Sequence, residues 1–435
     1  MSNRFLDIRP SNLPPNQSVS YKGGNPIITF DIPASQSELI GSSVRICGKI
    51  KITYDGTTPA KESNDGETLY MDSRLGMMSV FSQVSISSNS TKQNIETIRN
   101  YNRFMASYMP MTASNQDLIG HLDEAILCCP STDAQQQGVV WESEYTNGNE
   151  FCLYTPTGLL NSGEAIPLDH IGGLTLDYYI APDSQVLYDS NGNPTTSGLT
   201  NAQYELSDLK LICEIHDRSP EEQAQSEKSK SNGFEYKSIS SYYSTLNSTN
   251  GILNYALGLS RVQSVFMNFI PSSYLNNLAQ NSMQTIMPIK KTGAIANIKQ
   301  VVATRGGVRM PYAWNLDTNY KEDANVKVVD PQIVRNFMTA FRPFSDMNRN
   351  QIEPSNTNRN WTSNDNDVVK GGLVYGLGIS YSNIDGVDGA NFSTTNWGVQ
   401  IDSELSDDNP TSAFVFVHNK QTLLFSEGQG IQVIT

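Results

Sequence analysis

LSDLKLICEI (Leu206–Ile215), followed at once by HDRSPEEQAQSEKSKSNG (His216–Gly233), divides this 435-residue chain in two. In the first stretch Leu209, Leu211, Cys213 and Ile215 alternate with Lys210, Ile212 and Glu214, the period of a strand with one buried face. In the second almost every apolar residue disappears, and new strand-like segments then run to Gly430–Thr435. The spacing predicts a closing strand, a polar linker over 217–233, and two β-rich halves of similar length. A chain of this size exceeds one ordinary hydrophobic core, so two domains are the natural expectation.

Composition agrees. The chain has 20 Tyr and 15 Phe within 38% apolar residues, and only 17% charged residues. Such a mix favours strands joined by uncharged loops over a helical bundle. The net charge of −14 argues against direct or sequence-specific nucleic-acid binding, which needs a basic face. Five cysteines (Cys47, Cys128, Cys129, Cys152, Cys213) are an odd set without CxxC spacing, pointing to synthesis in a reducing cell interior. Cys47 and Cys213 read as small, inert hydrophobes within strands. No apolar leader opens the chain and no run approaches the roughly 20 residues needed to span a bilayer.

Working outward, residues 1–25, with Pro10, Pro14 and Pro15, read as an extended N-terminal arm. The first β domain is expected over 26–216. Ile27–Ile32 begins it, and Val44, Ile46, Ile50 and Ile52 alternate with Arg45, Cys47, Lys49 and Lys51. Ile95–Met109 fits a helix, because Ile95, Ile98, Tyr101, Phe104, Met105 and Tyr108 recur mostly at spacings of three and four. Leu118–Leu127 suggests a second short helix, and Leu174–Ile180 a strand. Asp183–Gln203 reads as a long loop with turn chemistry at Asn191–Pro194.

The second domain is expected over 234–435. Strands are predicted around Val265–Phe269, Ile295–Val302, Gly372–Tyr381, Trp397–Ile401, Ala413–Val417 and Leu423–Phe425, with a short helix over Pro331–Phe344 and a polar insertion over Ser345–Asp367. The fold class read from the pattern is therefore all-β: two tandem β-sandwiches, of which the jelly roll is a common kind, with short helices in the loops.

Catalytic and metal chemistry is not evident. There is no GxSxG elbow, and His121, His170, His216 and His418 each stand alone, with His216 and His418 read as solvated or capping residues. Asp385–Gly389 and Asn364–Asp367 offer oxygen ligands but lack EF-hand spacing, so they read as turns. Thr304–Arg309 lacks the P-loop Lys-Ser/Thr, and Glu221–Glu222 look solvated. No catalytic residue, cofactor or metal site is expected.

Phe5–Ser35 (FLDIRPSNLPPNQSVSYKGGNPIITFDIPAS), Ser260–Asn277 (SRVQSVFMNFIPSSYLNN), Arg305–Tyr312 (RGGVRMPY) and the ending from Ser412 (SAFVFVHNKQTLLFSEGQGIQVIT) resemble the double jelly-roll major capsid proteins of virophages and polinton-like viruses. The resemblance covers the whole chain. It implies two rolls side by side, a homotrimer forming a pseudo-hexameric capsomer, and capsomers tiling an icosahedral virion shell around double-stranded DNA. Neighbouring capsomers, penton proteins and minor capsid proteins would be partners, and an internal membrane is compatible. The arm would reach neighbouring capsomers or minor proteins. Tyr242, Tyr243, Tyr255, Tyr274, Met310, Tyr312 and Trp314 are candidates for subunit contacts, each equally suited to ordinary core packing. Three rivals are a carbohydrate-binding or adhesive β-sandwich using Trp361 and Trp397, a minor vertex protein, and a polysaccharide-degrading enzyme with a hidden carboxylate pair. Tandem rolls count against the vertex protein, which usually has one.

Overall fold

The computed structural model describes residues 3–24, 26–53, 69–72, 75–112, 139–140, 148–189, 201–247, 250–278, 281–283, 298–310, 315–317, 336, 339–341, 360–362, 368–370, 376–382, 388–403, 410–426 and 430–435. Eight strands frame the first half: β1 (Asn3–Ile8), β2 (Ile27–Ile32), β3 (Ser37–Thr53), β4 (Phe81–Ser88), β5 (Asn94–Arg99), β6 (Asn149–Tyr154), β7 (Leu174–Ile180) and β8 (Gln203–Asp217). They make two antiparallel sheets, β1-β8-β3-β6 and β2-β7-β4-β5. Eight more frame the second half: β9 (Phe234–Leu246), β10 (Asn250–Tyr255), β11 (Val262–Pro271), β12 (Ile298–Arg305), β13 (Val308–Arg309), β14 (Leu377–Ser380), β15 (Trp397–Ser403) and β16 (Thr411–Ser426). Their sheets are β9-β16-β11-β14 and β10-β15-β12-β13, with Asn315–Asp317 also pairing with β12 and Gly430–Ile434 with β16.

Counted within each half, one sheet runs first-eighth-third-sixth and the other second-seventh-fourth-fifth. That order is the jelly roll, and it occurs twice. The double jelly roll expected from the sequence is therefore the fold. Alternation places Ile28, Phe30 and Ile32 of β2, Val44, Ile46 and Ile50 of β3, and Leu211, Cys213 and Ile215 of β8 in one core. A second core lies between the two sheets of the second half, around Val265, Met267, Val399, Ile401, Val415 and Val417.

Several expectations are corrected. The N-terminal arm is not free: Asn3–Ile8 is the first strand of the first roll, paired with β8 from Asn3↔His216 to Ile8↔Leu211. Its sequence carries no strand signal because this edge strand exposes most of its side chains and so lacks the alternation of a half-buried strand. Val19 pairs with Leu206, and Ser11 donates to the Thr29 carbonyl, so the rest of the segment is also laid on the roll.

Ile95–Met109 is not one helix. Residues Asn94–Arg99 are strand β5, Asn100 takes a left-handed conformation (φ 53°), and helix α1 then spans Tyr101–Thr112. Ile95 and Ile98 mimic helical spacing because both faces of β5 are covered, one by its own sandwich and the other by β9. The polar linker is likewise structured. Helix α2 (Pro220–Ser229) opens with a capping box in which Ser219 Oγ accepts from the Glu222 N–H and the Glu222 carboxylate accepts from the Ser219 N–H at 2.7 Å. Glu222 is thus a cap, not a merely solvated carboxylate, and Pro220 supplies the preset first-turn φ.

Within Asp183–Gln203, Asp183–Val186 is a helical turn and Tyr188–Asp189 a short strand; 190–200 lie outside the described residues. So do Leu118–Leu127, and most of Pro331–Phe344 and Ser345–Asp367. Residues 336 and 339–341 are helical, and Asn360–Thr362 pairs with Val368–Lys370.

Deleting residues 1–8 should strip β8 of a six-residue ladder and lower the thermal midpoint measurably. Unchanged calorimetry would mean that β1 contributes nothing to the roll.

Candidate assembly surfaces and the junction between the rolls

The central strands β16 and β11 of the sheet β9-β16-β11-β14 bury apolar side chains on both faces. Along β16, Ala413, Val415 and Val417 enter the core of the second sandwich, while Phe414 and Phe416 belong to the core shared with the first half. Along β11, Val265 and Met267 face one way and Phe266 and Ile270 the other. On α1, Phe104 meets Phe266 and Phe416 with ring centroids 5.9 and 5.7 Å apart. The two rolls therefore share a continuous hydrophobic junction.

Polar groups give that junction its register. Arg103 of α1 is fully buried; it donates to the Ser282 carbonyl at 2.7 Å and to Asn268 Oδ1 at 3.2 Å, and its guanidinium lies 5.0 Å from the Phe414 ring centroid. Asn268 of β11 returns the contact, donating to the Arg103 carbonyl at 2.8 Å and to Ser107 Oγ at 2.9 Å. Carbonyl, amide and aromatic face replace part of the hydration that this buried cation gives up.

Glu96 of β5 forms the second polar contact. Its buried carboxylate accepts from the backbone N–H groups of Gly158 (3.1 Å), Leu159 (2.9 Å) and Ile239 (2.7 Å), the last from the second half. Burial pushes its pKa up to about 7 against the opposing pull of those N–H donors. Gly158 is required at this point: a Cβ there would lie 2.5 Å from the Lys237 carbonyl oxygen and 2.6 Å from Ser238 Cα. Nearby, Tyr236 donates to the Ile95 carbonyl and Arg99 N–H to Ser241 Oγ.

The surface candidates separate clearly. Of the aromatic set, Tyr243 is 49% exposed, its ring 5.1 Å from Phe414. Tyr242 and Tyr255 pack together on the second core, with Tyr255 stacked on Trp397, and Met310 joins them. Tyr274 packs against the first core. Tyr312 and Trp314 lie outside the described residues. Ile252 on β10, Val308 on β13 and Phe5 on β1, not singled out from sequence, are 68%, 61% and 72% exposed, each on an edge strand.

The remaining motifs resolve as structure. Thr304–Arg309 is a hairpin whose Gly306 and Gly307 both have positive φ. Asp388 pairs with Lys420 at 2.5 Å, whereas 383–387 and Asn364–Asp367 lie outside the described residues. His418 is neither solvated nor capping: its ring is fully buried, and desolvation with Lys237 and Lys420 nearby lowers its pKa to about 3. His216 contacts Asn3 and Glu222, tying β1 to α2. His121 lies outside the described residues. Asp169, His170 and Glu227 converge, but the Asp169 carboxylate is already paired with the Arg218 guanidinium at 2.9 Å. Trp397, a candidate sugar platform, is buried and donates to the Tyr381 hydroxyl at 2.8 Å. Trp361 is on a short strand.

Replacing Arg103 by Met should cost about 3 kcal/mol in denaturant unfolding, because Asn268 and the Ser282 carbonyl lose a buried partner; a neutral result would mean the network is dispensable. Glu96 gives a pH signature. Its ordinary pKa of 4.5 rises to about 7 in the fold, so its contribution is complete below pH 4.5. As pH rises from there through 7, about 3 kcal/mol is lost. The stability gap between the wild type and Glu96→Gln should narrow across that window. A constant gap would show a carboxylate already ionised in the folded chain at pH 5.

No family model and no curated protein sequence matches this chain. Among solved structures, the Faustovirus major capsid protein aligns at TM-score 0.57 and 9% identity, covering 98% of this chain and 90% of the other. The PBCV-1 virus capsid model aligns at 0.57 and 10% identity over 99% and 96%, and the Sputnik virophage structure at 0.52 and 11% over 99% and 88%. At such identities the likeness concerns architecture, and across nearly its whole length this chain has the double jelly-roll architecture of those viral capsid structures.

Proposed function

We propose that this chain is a structural major capsid protein, a shell-building subunit rather than an enzyme. The observation that carries the reading is the pair of rolls with identical strand order, locked through one junction, over a length that matches the capsid chains nearly end to end. A subunit with two similar rolls fixed side by side presents a pseudo-repeat. Three such subunits around one axis offer six roll-sized blocks, the shape that tiles a hexagonal lattice. In this reading the chain is a homotrimer in an icosahedral virion shell around double-stranded DNA, within the virophage and polinton-like group.

The division proposed is a first roll over residues 3–217, a connector carrying α2, and a second roll from 234 onward. Subunit contacts are assigned to the edge strands that leave Phe5, Ile252 and Val308 in water, since large apolar side chains on unpaired sheet edges are otherwise an aggregation hazard. Permanent interfaces of this kind bury several thousand Å². The acidic net charge of −14 suits a shell that need not grip the genome.

Purified protein should sediment at three times the 48.0 kDa chain mass and form hexagonally tiled particles in electron micrographs. Changing Ile252 to Asp should leave the thermal midpoint nearly unchanged while shifting the population to single chains. Stable monomers of the unaltered protein at micromolar concentration would refute the proposal.

A further inference from the structure

Away from the junction, the outer face of the first sheet brings two cysteines together. On β3, Val44, Ile46, Ile50 and Ile52 turn into the core, so Cys47 points outward; on β6, Phe151 and Leu153 turn inward, so Cys152 also points outward. The two strands are antiparallel and Cys47 stands directly opposite Cys152 in the ladder, with the thiol sulfurs 2.9 Å apart. Directly opposed antiparallel positions hold their Cα atoms about 4.5–5.5 Å apart, inside the Cα separations of about 4.4–6.8 Å that a disulfide spans, so bridging needs little backbone movement.

We propose that Cys47 and Cys152 are a modification site at which a small disulfide of the glutathione class oxidises the pair to an intramolecular cross-link between β3 and β6. The surroundings supply one nucleophile and one proton-bearing partner. Cys152 is part-exposed, and its thiol is lowered to about 7 by its bond with Cys47 and by Arg45 and Lys210, while Cys47 is buried and raised. The Cys152 thiolate attacks one sulfur of the small disulfide; that S–S bond breaks and one small thiol leaves after taking a proton. Cys47 then loses its proton and attacks the Cys152 sulfur of the mixed disulfide, releasing the second small thiol. Two protein thiols have lost two hydrogens and one disulfide has become two thiols. Cys213, in the core with its thiol raised to about 11, faces away from the pair.

The bridge would join positions 105 residues apart and so restrict the unfolded chain strongly. Full-length protein is incubated with oxidised glutathione at pH 8, alkylated, and mapped by peptide mass spectrometry without reduction. The expected result is a Cys47–Cys152 linked peptide, near-complete loss of alkylation at both positions, and a thermal midpoint several degrees above that of the reduced protein. Cys47→Ser should stop at a glutathione adduct on Cys152. Because the comparison of reduced and oxidised wild type needs no variant, poor folding of Cys47→Ser would not obscure the outcome. Retained alkylation of both cysteines in folded wild type, or linkage to Cys128, Cys129 or Cys213 instead, would overturn the assignment.

Discussion

The two rolls are organised around a sheet whose central strands, β16 and β11, are covered on both faces. The β9-β16-β11-β14 sheet closes the second sandwich with one side and receives α1 of the first roll with the other. A sheet buried once reads as alternating apolar and polar residues; a sheet buried twice must be apolar at consecutive positions. That is what AFVFV at 413–417 and VFM at 265–267 supply. The two rolls are therefore one cooperative unit at this seam, since separating them would expose Phe104, Phe266, Phe414 and Phe416 together. At about 25 cal/mol per Å² of apolar area, that exposure alone is worth several kcal/mol.

Apolar packing is non-directional, and by itself would allow the rolls to slide. Arg103 with Asn268, and Glu96 with three backbone N–H groups, remove that freedom, because each bond satisfies a group that would otherwise be desolvated for nothing. Gly158 shows how closely the two backbones approach at this point. Such networks add little net stability over a well-packed apolar substitute, and their effect is to select one relative placement of the rolls. Under the proposed shell-building role, which calls for two roll-sized blocks at a fixed spacing, that selection is the useful property.

The sandwich architecture was legible because half-buried strands write their period directly into the chain, as in β3, β7 and β8. What stayed hidden was of three kinds. β1 was obscured because NRFLDI leaves most side chains in water, and its identity as a strand exists only in its ladder with β8, more than 200 positions away. Helix α2 carries no apolar stripe, although the capping signature Ser219-Pro220-Glu221-Glu222 was there to be read. The junction residues Arg103, Glu96 and Asn268 look like ordinary polar positions, since their meaning lies in partners supplied by the other half. The same holds for Cys47 and Cys152, which no short motif connects. Among the aromatic residues suspected of subunit contacts, core packing accounts for Tyr242, Tyr255 and Tyr274, and Tyr243 alone of the described ones is largely exposed.

The pairing of β1 with β8 bears on how the chain is made. A ribosome releases Asn3–Ile8 some 200 residues before their partner Leu211–His216, and β9 likewise waits for β16. At about 5–20 residues per second, each sandwich stays open for roughly 10 s or longer after its first strand has left the tunnel. During that interval the apolar strands between have no permanent cover. Synthesis of this protein in quantity therefore places a sustained load on the chaperones that shield nascent β-structure, a demand imposed by strand order alone.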